Sequence, residues 1–192
     1  MESILDAAEQ VFAEIGYDAA TTNLIAERAD ISPGSLYQFF ANKQAIAEAL
    51  AERYVQLMRE AQAAALDPGL ATLPVAQMVD GVVDPMIEFN LAHPAAKSLL
   101  YGADLSPSLA ASTSTLHEAL QQRLEALVQA RVPDLAPKSR ALVATVSMQI
   151  YKALLPTVLA ATRRDRPSVI RELKAALVGY WTSVESGEPA AR

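Results

Sequence analysis

The chain has 192 residues, of which 52% are apolar and only 6% aromatic, and it contains no cysteine. A composition dominated by alanine and leucine is typical of packed helices rather than of a β-sandwich, and the lack of cysteine excludes disulfides and thiolate metal sites. The formal net charge is −6 and only two histidines are present. We therefore expect neither a general nucleic-acid binder with a basic surface nor a histidine-ligated metal, and we predict no cofactor.

The N-terminal sequence MESILDAAEQVF has neither the basic nor the apolar region of a secretory signal. We also expect that no apolar stretch approaches the length needed to span a bilayer. These two features predict a soluble, cytoplasmic protein that does not associate with membranes.

Apolar residues recur with the period of an α-helix from the start of the chain. A first helix has one apolar face, which Gly16 is expected to end, with Tyr17 packing back on Phe12. Short helices follow at about 22–29, capped by Thr21, and at about 33–39, capped by Ser32. A longer helix covers about 42–62, and further helices are predicted at about 73–92, 94–101, 106–131, 137–164 and 167–184, with Pro85 and Pro156 inside helices.

The stretch TTNLIAERADISPGSLYQFFANKQAI, residues 21–46, combines two short helices with a tight turn, as DNA-reading units do. Its apolar positions are spaced to hold the pair against the first helix: Ile25, Ala26, Ala29, Ile31, Leu36 and Phe40. The other face keeps donors suited to phosphate oxygens and base edges: Thr22, Asn23, Ser35, Tyr37, Gln38 and Lys43. Residues 1–50 nevertheless hold only two cations against eight acids, so the segment assigned to DNA is acidic.

Three segments, ILDAAEQVFAEIGY, TTNLIAERADIS and GSLYQFFANKQAI, closely resemble the tetracycline-repressor (TetR) family of bacterial regulators over about residues 3–50. The resemblance implies a dimer on double-stranded operator DNA and a small-molecule pocket whose occupation releases the DNA. By position, Thr22 and Asn23 would contact the backbone, Ser35 and Gln38 would face bases, and Tyr37 and Lys43 would hold phosphates.

Two features depart from this family's pattern. Its members usually carry a basic arm before the first helix, and this chain starts almost at that helix. Asp30 also stands where the turn ordinarily has glycine, and since the chain must reverse there we predict a positive φ at Asp30.

The C-terminal half has methionines and aromatic residues beside two proline-containing helices, which favours a ligand pocket. We predict that its wall includes Met78, Val82, Met86, Phe89, Tyr101, Leu120 and Tyr151. For any single one of these residues, ordinary core packing is the better interpretation. Asn90, His93 and His117 could orient a polar group of a ligand, although a structural role is favoured for each histidine.

The last two helices carry apolar stripes that are too wide for packing within one subunit. We predict that they form a four-helix dimer interface. The stripe of the last helix comprises Val169, Ile170, Leu173, Ala176, Leu177, Tyr180 and Trp181. That of the preceding helix comprises Leu142, Val143, Val146, Ile150, Leu154, Leu155 and Val158.

The predicted fold is all-α with about nine helices: a helix-turn-helix DNA-binding domain at 1–46, then a helical effector-binding and dimerisation domain at 47–192. We find no phosphate-binding glycine loop, nucleophile elbow or metal-ligand spacing, so an enzyme is not expected. The predicted function is a DNA-binding regulator, a repressor released by a small, mostly apolar effector. The alternative is a helical ligand-binding or interaction protein with weak or lost DNA binding, which the acidic N-terminal half favours.

Overall fold

The computed structural model describes residues 1–65, 68–96, 99 and 107–187. These residues form eight α-helices and one 3-10 helix, and they include no strand. The helices are α1 (Glu2–Ala19), α2 (Thr22–Arg28), α3 (Pro33–Tyr37), α4 (Lys43–Ala65), η1 (Pro68–Thr72), α5 (Val75–Ala92), α6 (Pro107–Arg131), α7 (Pro137–Ala160) and α8 (Arg166–Ser186). The predicted all-α class is confirmed, and the helix predicted at 94–101 lies partly outside the described residues.

The chain divides into two compact units. The first comprises Met1–Arg59 and Asn90–Leu116, and the second comprises Glu60–Phe89 and His117–Arg192. These units are defined by how compactly their residues pack. The predicted boundary after residue 46 instead separates a DNA-binding domain from an effector-binding domain. That boundary stays a prediction.

In the first unit, α1 buries the apolar face predicted for it, including Ile4, Ala8 and Phe12. Gly16 interrupts this helix with φ 78° and ψ 164°, and one further turn leads to Ala19. The regular helix thus ends at Gly16, as expected, although a further helical turn that the sequence did not predict follows the break. The Tyr17 ring does pack back on Phe12 as predicted, with ring centroids 5.5 Å apart.

The turn between α2 and α3 is closed by backbone hydrogen bonds at the end of α2. The N–H of Asp30 donates to the carbonyl of Glu27 at 3.1 Å, and that of Ile31 donates to Ala26 at 3.0 Å. This is the Schellman arrangement, which places the first of the two donors, here Asp30, in the left-handed region. Asp30 has φ 55°, so the predicted positive φ is confirmed.

Side-chain caps begin both helices around this turn. Thr21 Oγ1 accepts a hydrogen bond from the N–H of Leu24 at 3.2 Å, and Ser32 Oγ accepts one from Ser35 at 3.1 Å. Both caps were predicted, and each contributes about 1 kcal/mol. Helix α3 ends at Tyr37 rather than near residue 39.

In the second unit, the segment of η1 packs against the bare backbone of α5. A Cβ added at Gly81 would lie 2.7 Å from Leu70 Cδ2, so the Leu70 side chain would have to shift to make room for it. Arg131 holds the same segment, since its Nη1 donates to the carbonyls of Ala71 at 3.1 Å and Leu73 at 2.6 Å. The sequence had predicted no helix between about residues 62 and 73, so neither η1 nor this packing was predicted.

Helix α7 corrects the expectation that no stretch is long enough to span a bilayer. By length and composition it passes that test, alone among the described helices, although core helices of soluble proteins pass it too. Lys138 and Arg140 lie at its start, and Lys152 is the one charged residue between there and Ala160. Only 22% of its most apolar stretch is buried within the chain, so much of that surface lies open.

Candidate functional site

The helix-turn-helix separates apolar and polar residues as the sequence predicted. Ile25, Ala26 and Leu36 are fully buried, and Phe40 is buried as well. On the other side, Asn23, Tyr37 and Gln38 are exposed, while Thr22 and Ser35 are half-buried. The fold thus leaves a polar surface on α2 and α3 that is open to a partner.

Two of the predicted DNA-contacting residues meet on this surface. The hydroxyl oxygens of Thr22, at the start of α2, and Tyr37, at the end of α3, lie 3.0 Å apart. Both residues were expected to contact the DNA backbone. Two hydroxyls at this spacing can both donate to one phosphate group.

Ser35 lies at the opening of α3 and faces Ser32. Their hydroxyl oxygens are 2.9 Å apart, and the Ser35 N–H also donates to Ser32 Oγ. The Ser35 side chain is therefore held in place by the cap of its own helix. Its predicted contact with a base edge, like that of Gln38, stays a prediction.

The Lys43 ammonium has partners inside the protein. Its Nζ donates to the carbonyls of Tyr17 at 2.8 Å and Asp18 at 3.1 Å, and it lies 4.4 Å from the centre of the Tyr17 ring. Lys43 thus joins the start of α4 to the end of α1. Its predicted role as a phosphate contact remains a prediction that would require these bonds to break or to be shared.

The other cation of residues 1–50, Arg28, forms a two-pronged ion pair with Glu14. The N–O distances are 2.8 and 2.7 Å. The hydrogen bond from Arg28 lowers the pKa of the Glu14 carboxyl. The sequence analysis had favoured a surface or ion-pair role for Arg28, and the structure agrees. Both cations of this acidic region are therefore engaged with the protein's own acceptors.

Phe39, two residues after the end of α3, is an exposed aromatic residue that the sequence analysis missed. Its exposed fraction is 54%, close to the 52% of Tyr37. The helical period that places Leu36 and Phe40 inside necessarily turns Phe39 outward. That period was the available clue, and it was overlooked because adjacent aromatic residues resemble core.

A polar cluster lies elsewhere in the first unit, between α1, α4 and the residue after α5. His93 Nδ1 lies 2.7 Å from Glu9 Oε1, and the His93 ring packs on Tyr54 with centroids 5.3 Å apart. Arg53 also bonds Glu9, at 3.4 Å, and Asp6, at 2.6 Å. Burial, followed by the charge of Glu9, raises the pKa of the Tyr54 phenol. The structure therefore gives His93 the structural role that the sequence favoured.

An apolar cavity lies in the second unit, among α5, α6, α7 and α8, with a volume of about 60 Å³. Five of the seven residues predicted to line a pocket are in its wall: Met78, Val82, Met86, Leu120 and Tyr151. Phe89 is buried but is not part of this wall. Tyr101 lies outside the described residues.

The sequence analysis missed several residues of the wall, which are Val79, Val83, Leu124, Leu127, Ser147, Leu177 and Trp181. Those on α6 and α8 recur at spacings of three or four from residues already considered, so the helical period could have found them. Leu177 and Trp181 had instead been assigned to the dimer interface.

The predicted interface residues of α7 and α8 fall into two groups. Five are buried within their own subunit: Val143, Val158, Leu173, Leu177 and Trp181. The remainder are partly or fully exposed, and Leu142 reaches 62%. These two packed helices therefore keep an apolar outer face, although it is narrower than the sequence indicated.

Comparison with known families matches both ends of the chain. Residues 4–50 match the family described as "Bacterial regulatory proteins, tetR family", and residues 74–180 match "Tetracyclin repressor-like, C-terminal domain". The second match alone covers more than half of the chain.

Individual relatives match shorter stretches. A transcriptional regulator of Bacillus subtilis, YhgD, is 30% identical over 90 residues, which are 47% of this chain and 46% of that protein. The A-factor receptor protein of Streptomyces griseus is 35% identical over 91 residues, which are 47% of this chain and 29% of the receptor. The matched stretch thus spans less than half the length of each relative.

Solved structures show the same fold over nearly the whole chain. A TetR-like regulator from Rhodococcus sp. RHA1 has a TM-score of 0.70 at 20% identity, covering 97% of this chain and 96% of its own. The fatty acid degradation regulator FadR of Bacillus halodurans has a TM-score of 0.61 at 18% identity, covering 93% and 94%.

Proposed function

The chain belongs to the tetR family of bacterial regulatory proteins, and from this premise we propose that it is a repressor that a small, mostly apolar molecule releases from double-stranded operator DNA. The observation that carries the proposal is the polar surface of α2 and α3, where the Thr22 and Tyr37 hydroxyls meet at 3.0 Å. The residues proposed to contact DNA are Thr22, Asn23, Ser35, Tyr37, Gln38 and Lys43.

In this proposal neutral groups provide most of the DNA contacts. Hydroxyl and amide donors position the protein on phosphates and read base edges. The two cations of residues 1–50 are paired within the protein, with Lys43 on two carbonyls and Arg28 on Glu14. Specific binding therefore depends on fit more than on charge, and non-specific binding to DNA is weak.

A second copy of the chain covers the apolar outer face of α7 and α8 in the proposed assembly. A two-fold dimer places two recognition helices about 34–36 Å apart, as successive major grooves require. Such an interface buries roughly 2,000 Å² or more. A partner subunit, rather than a membrane, then accounts for the open apolar surface of α7, in keeping with a cytoplasmic protein.

The effector is proposed to occupy the cavity of the second unit. Its wall combines three methionines, Met78, Met86 and Met148, with Tyr151 and Trp181. Methionine adapts to irregular shapes, which suits a wall that must admit a guest. A ligand releases the protein from DNA only if it binds more tightly to an arrangement in which the two helix-turn-helix units no longer match the major grooves.

One observation favours a second candidate function, a ligand-binding or interaction protein that has lost DNA binding. Residues 1–50 carry eight acids, and both of their cations are already engaged. This candidate predicts that no double-stranded DNA sequence is selected from a random pool. The proposed repressor predicts that a two-fold symmetric sequence is selected.

The test is a band-shift measurement on the selected DNA with the variant Val82→Trp. This variant fills the cavity, so we expect it either to bind DNA like the parent without responding to effector or to be permanently released, in both cases as an intact dimer. Gln77→Trp adds the same side chain at an exposed position of the same helix and should behave like the parent. If Val82→Trp matches the parent in both affinity and response, the cavity is not the effector site.

A further inference from the structure

The wall of the cavity offers a ligand almost no polar group. Of its thirteen residues none is charged, and its open surface is almost wholly carbon and sulfur. The hydroxyl of Ser147 already donates to the carbonyl of Val143 at 2.8 Å. Any charge carried into this space would lose its hydration without gaining a partner, which is far more costly than burying an apolar group.

One ionic cluster next to the wall does not compensate a negative charge. Asp80 and Asp84 flank wall residues on α5, and both bond to Lys174 of α8, at 2.8 and 2.7 Å. Burial opposes the charge of Lys174, but these two hydrogen bonds together raise its pKa. The ammonium is thus held by two carboxylates, and the trio carries a net negative charge that repels an anion.

The volume of the cavity also limits what it holds without change. It measures about 60 Å³, whereas an apolar cavity that binds benzene measures about 150 Å³. A ring-sized ligand therefore enters only if side chains move aside. Met78, Met86 and Met148 are the wall residues with the most rotatable bonds, so they can yield at the lowest cost.

We infer that the cavity selects uncharged, apolar molecules of about the size of one ring or a short alkyl chain, and that it excludes their carboxylate counterparts. The inference rests on the proposed function in taking this cavity as the effector site. Binding then enlarges a small space by displacing the methionines. That displacement distinguishes the liganded arrangement of α5 to α8 from the unliganded one.

The test uses three probes of similar shape: toluene, benzamide and benzoate at neutral pH. Trp181 is the only tryptophan of the chain and lies in the wall, so its fluorescence reports occupation directly without DNA. We expect toluene to bind most tightly, benzamide less tightly and benzoate at least about tenfold more weakly than toluene. A second pair, 1-octanol and octanoate, should show the same preference.

Two variants that add the same charge test whether the preference for uncharged ligands arises at the cavity wall. Met86 lies half-buried in the wall, so Met86→Lys places a cation at the cavity while its ammonium can still reach water. We expect this change to reduce the preference for toluene over benzoate by about tenfold or to reverse it. Gln77→Lys adds the same charge at an exposed position of α5 and should leave the preference unchanged.

Equal or tighter binding of benzoate by the parent overturns the inference. So does a failure of all five probes to alter Trp181 fluorescence at millimolar concentration, since the space is then ordinary core. These outcomes are independent of DNA binding. If a selected operator is bound and released by an anionic compound, the proposed function survives and this inference fails. If no DNA is bound but toluene is preferred, the inference about the cavity survives and the repressor function fails.

Discussion

The helix-turn-helix exposes the residues proposed to bind its partner, whereas the apolar cavity is lined by buried and half-buried residues. In the first unit, Leu36 is buried and supports the fold, while Tyr37 and Gln38 face outward. The exposed residues are the ones proposed to contact DNA. In the second unit, the residues of the cavity wall are buried or half-buried, and they differ from ordinary core by the space between them. A surface site can thus be read from residue types, whereas a cavity depends on packing.

Replacing Leu36 by alanine should give the largest effect and sharpen this contrast. Leu36 is fully buried, so its truncation should cost about 2–5 kcal/mol of the free energy of unfolding and abolish DNA binding. Phe39→Ala, on the exposed side, should change stability by less than about 0.5 kcal/mol. Urea unfolding followed by circular dichroism measures both variants. Equal losses would contradict the division into a buried support and an exposed surface.

Lys43→Met tests whether the lysine supports the fold or holds DNA. Since its ammonium bonds to the Tyr17 and Asp18 carbonyls, we expect a loss of about 1–2 kcal/mol in the free energy of unfolding. Because Lys43 is also proposed to hold a phosphate, the slope of log K against log[salt] should become less negative by about 0.9 per subunit. An unchanged slope would remove Lys43 from the DNA contacts and leave it only the structural role.

Tyr37→Phe should weaken DNA binding with little effect on stability. The variant removes one of the two hydroxyls that meet on the polar surface of α2 and α3. Losing one such hydrogen bond to DNA corresponds to about 0.5–1.5 kcal/mol, or roughly 2- to 13-fold in affinity. Thr22→Ser keeps the other hydroxyl and serves as the matched control, with affinity close to that of the parent. An unchanged affinity for Tyr37→Phe would remove this pair from the DNA contacts.

Asp30→Gly should have the smallest effect. The left-handed φ of 55° at this position is strained for aspartate but free for glycine, so the variant should be neutral or up to about 1 kcal/mol more stable. Removing a negative charge should also strengthen DNA binding slightly. A thermal melt and a band shift measure both effects, and a clear loss of stability would mean that the Asp30 side chain itself supports the turn.

Local rules were enough to predict most of the first unit. The caps at Thr21 and Ser32, the positive φ at Asp30 and the burial of Leu36 each follow from interactions among residues close in the chain. The sequence did not predict the partners of Lys43, because the Tyr17 and Asp18 carbonyls lie more than twenty residues away. Nor did it predict the contact of Leu70 with Gly81, which depends on how η1 returns to α5.

The cavity shows the same limit. The helical period and the presence of methionines predicted five wall residues correctly. They could not distinguish Phe89, which is buried outside the wall, from Met86, which is in it. It also assigned Leu177 and Trp181 to a subunit interface, because an inward and an outward apolar stripe on one helix look alike in sequence. Only three-dimensional packing distinguishes them.

The salt dependence of binding to a selected operator tests the central claim most directly. A dimer that reads DNA mainly through neutral donors, with at most Arg28 and Lys43 from each subunit near phosphates, should show a slope of about −2 to −4 in log K against log[salt]. A slope near −8 would mean that a cationic surface elsewhere holds the DNA. The absence of specific binding at any salt concentration would contradict the account altogether.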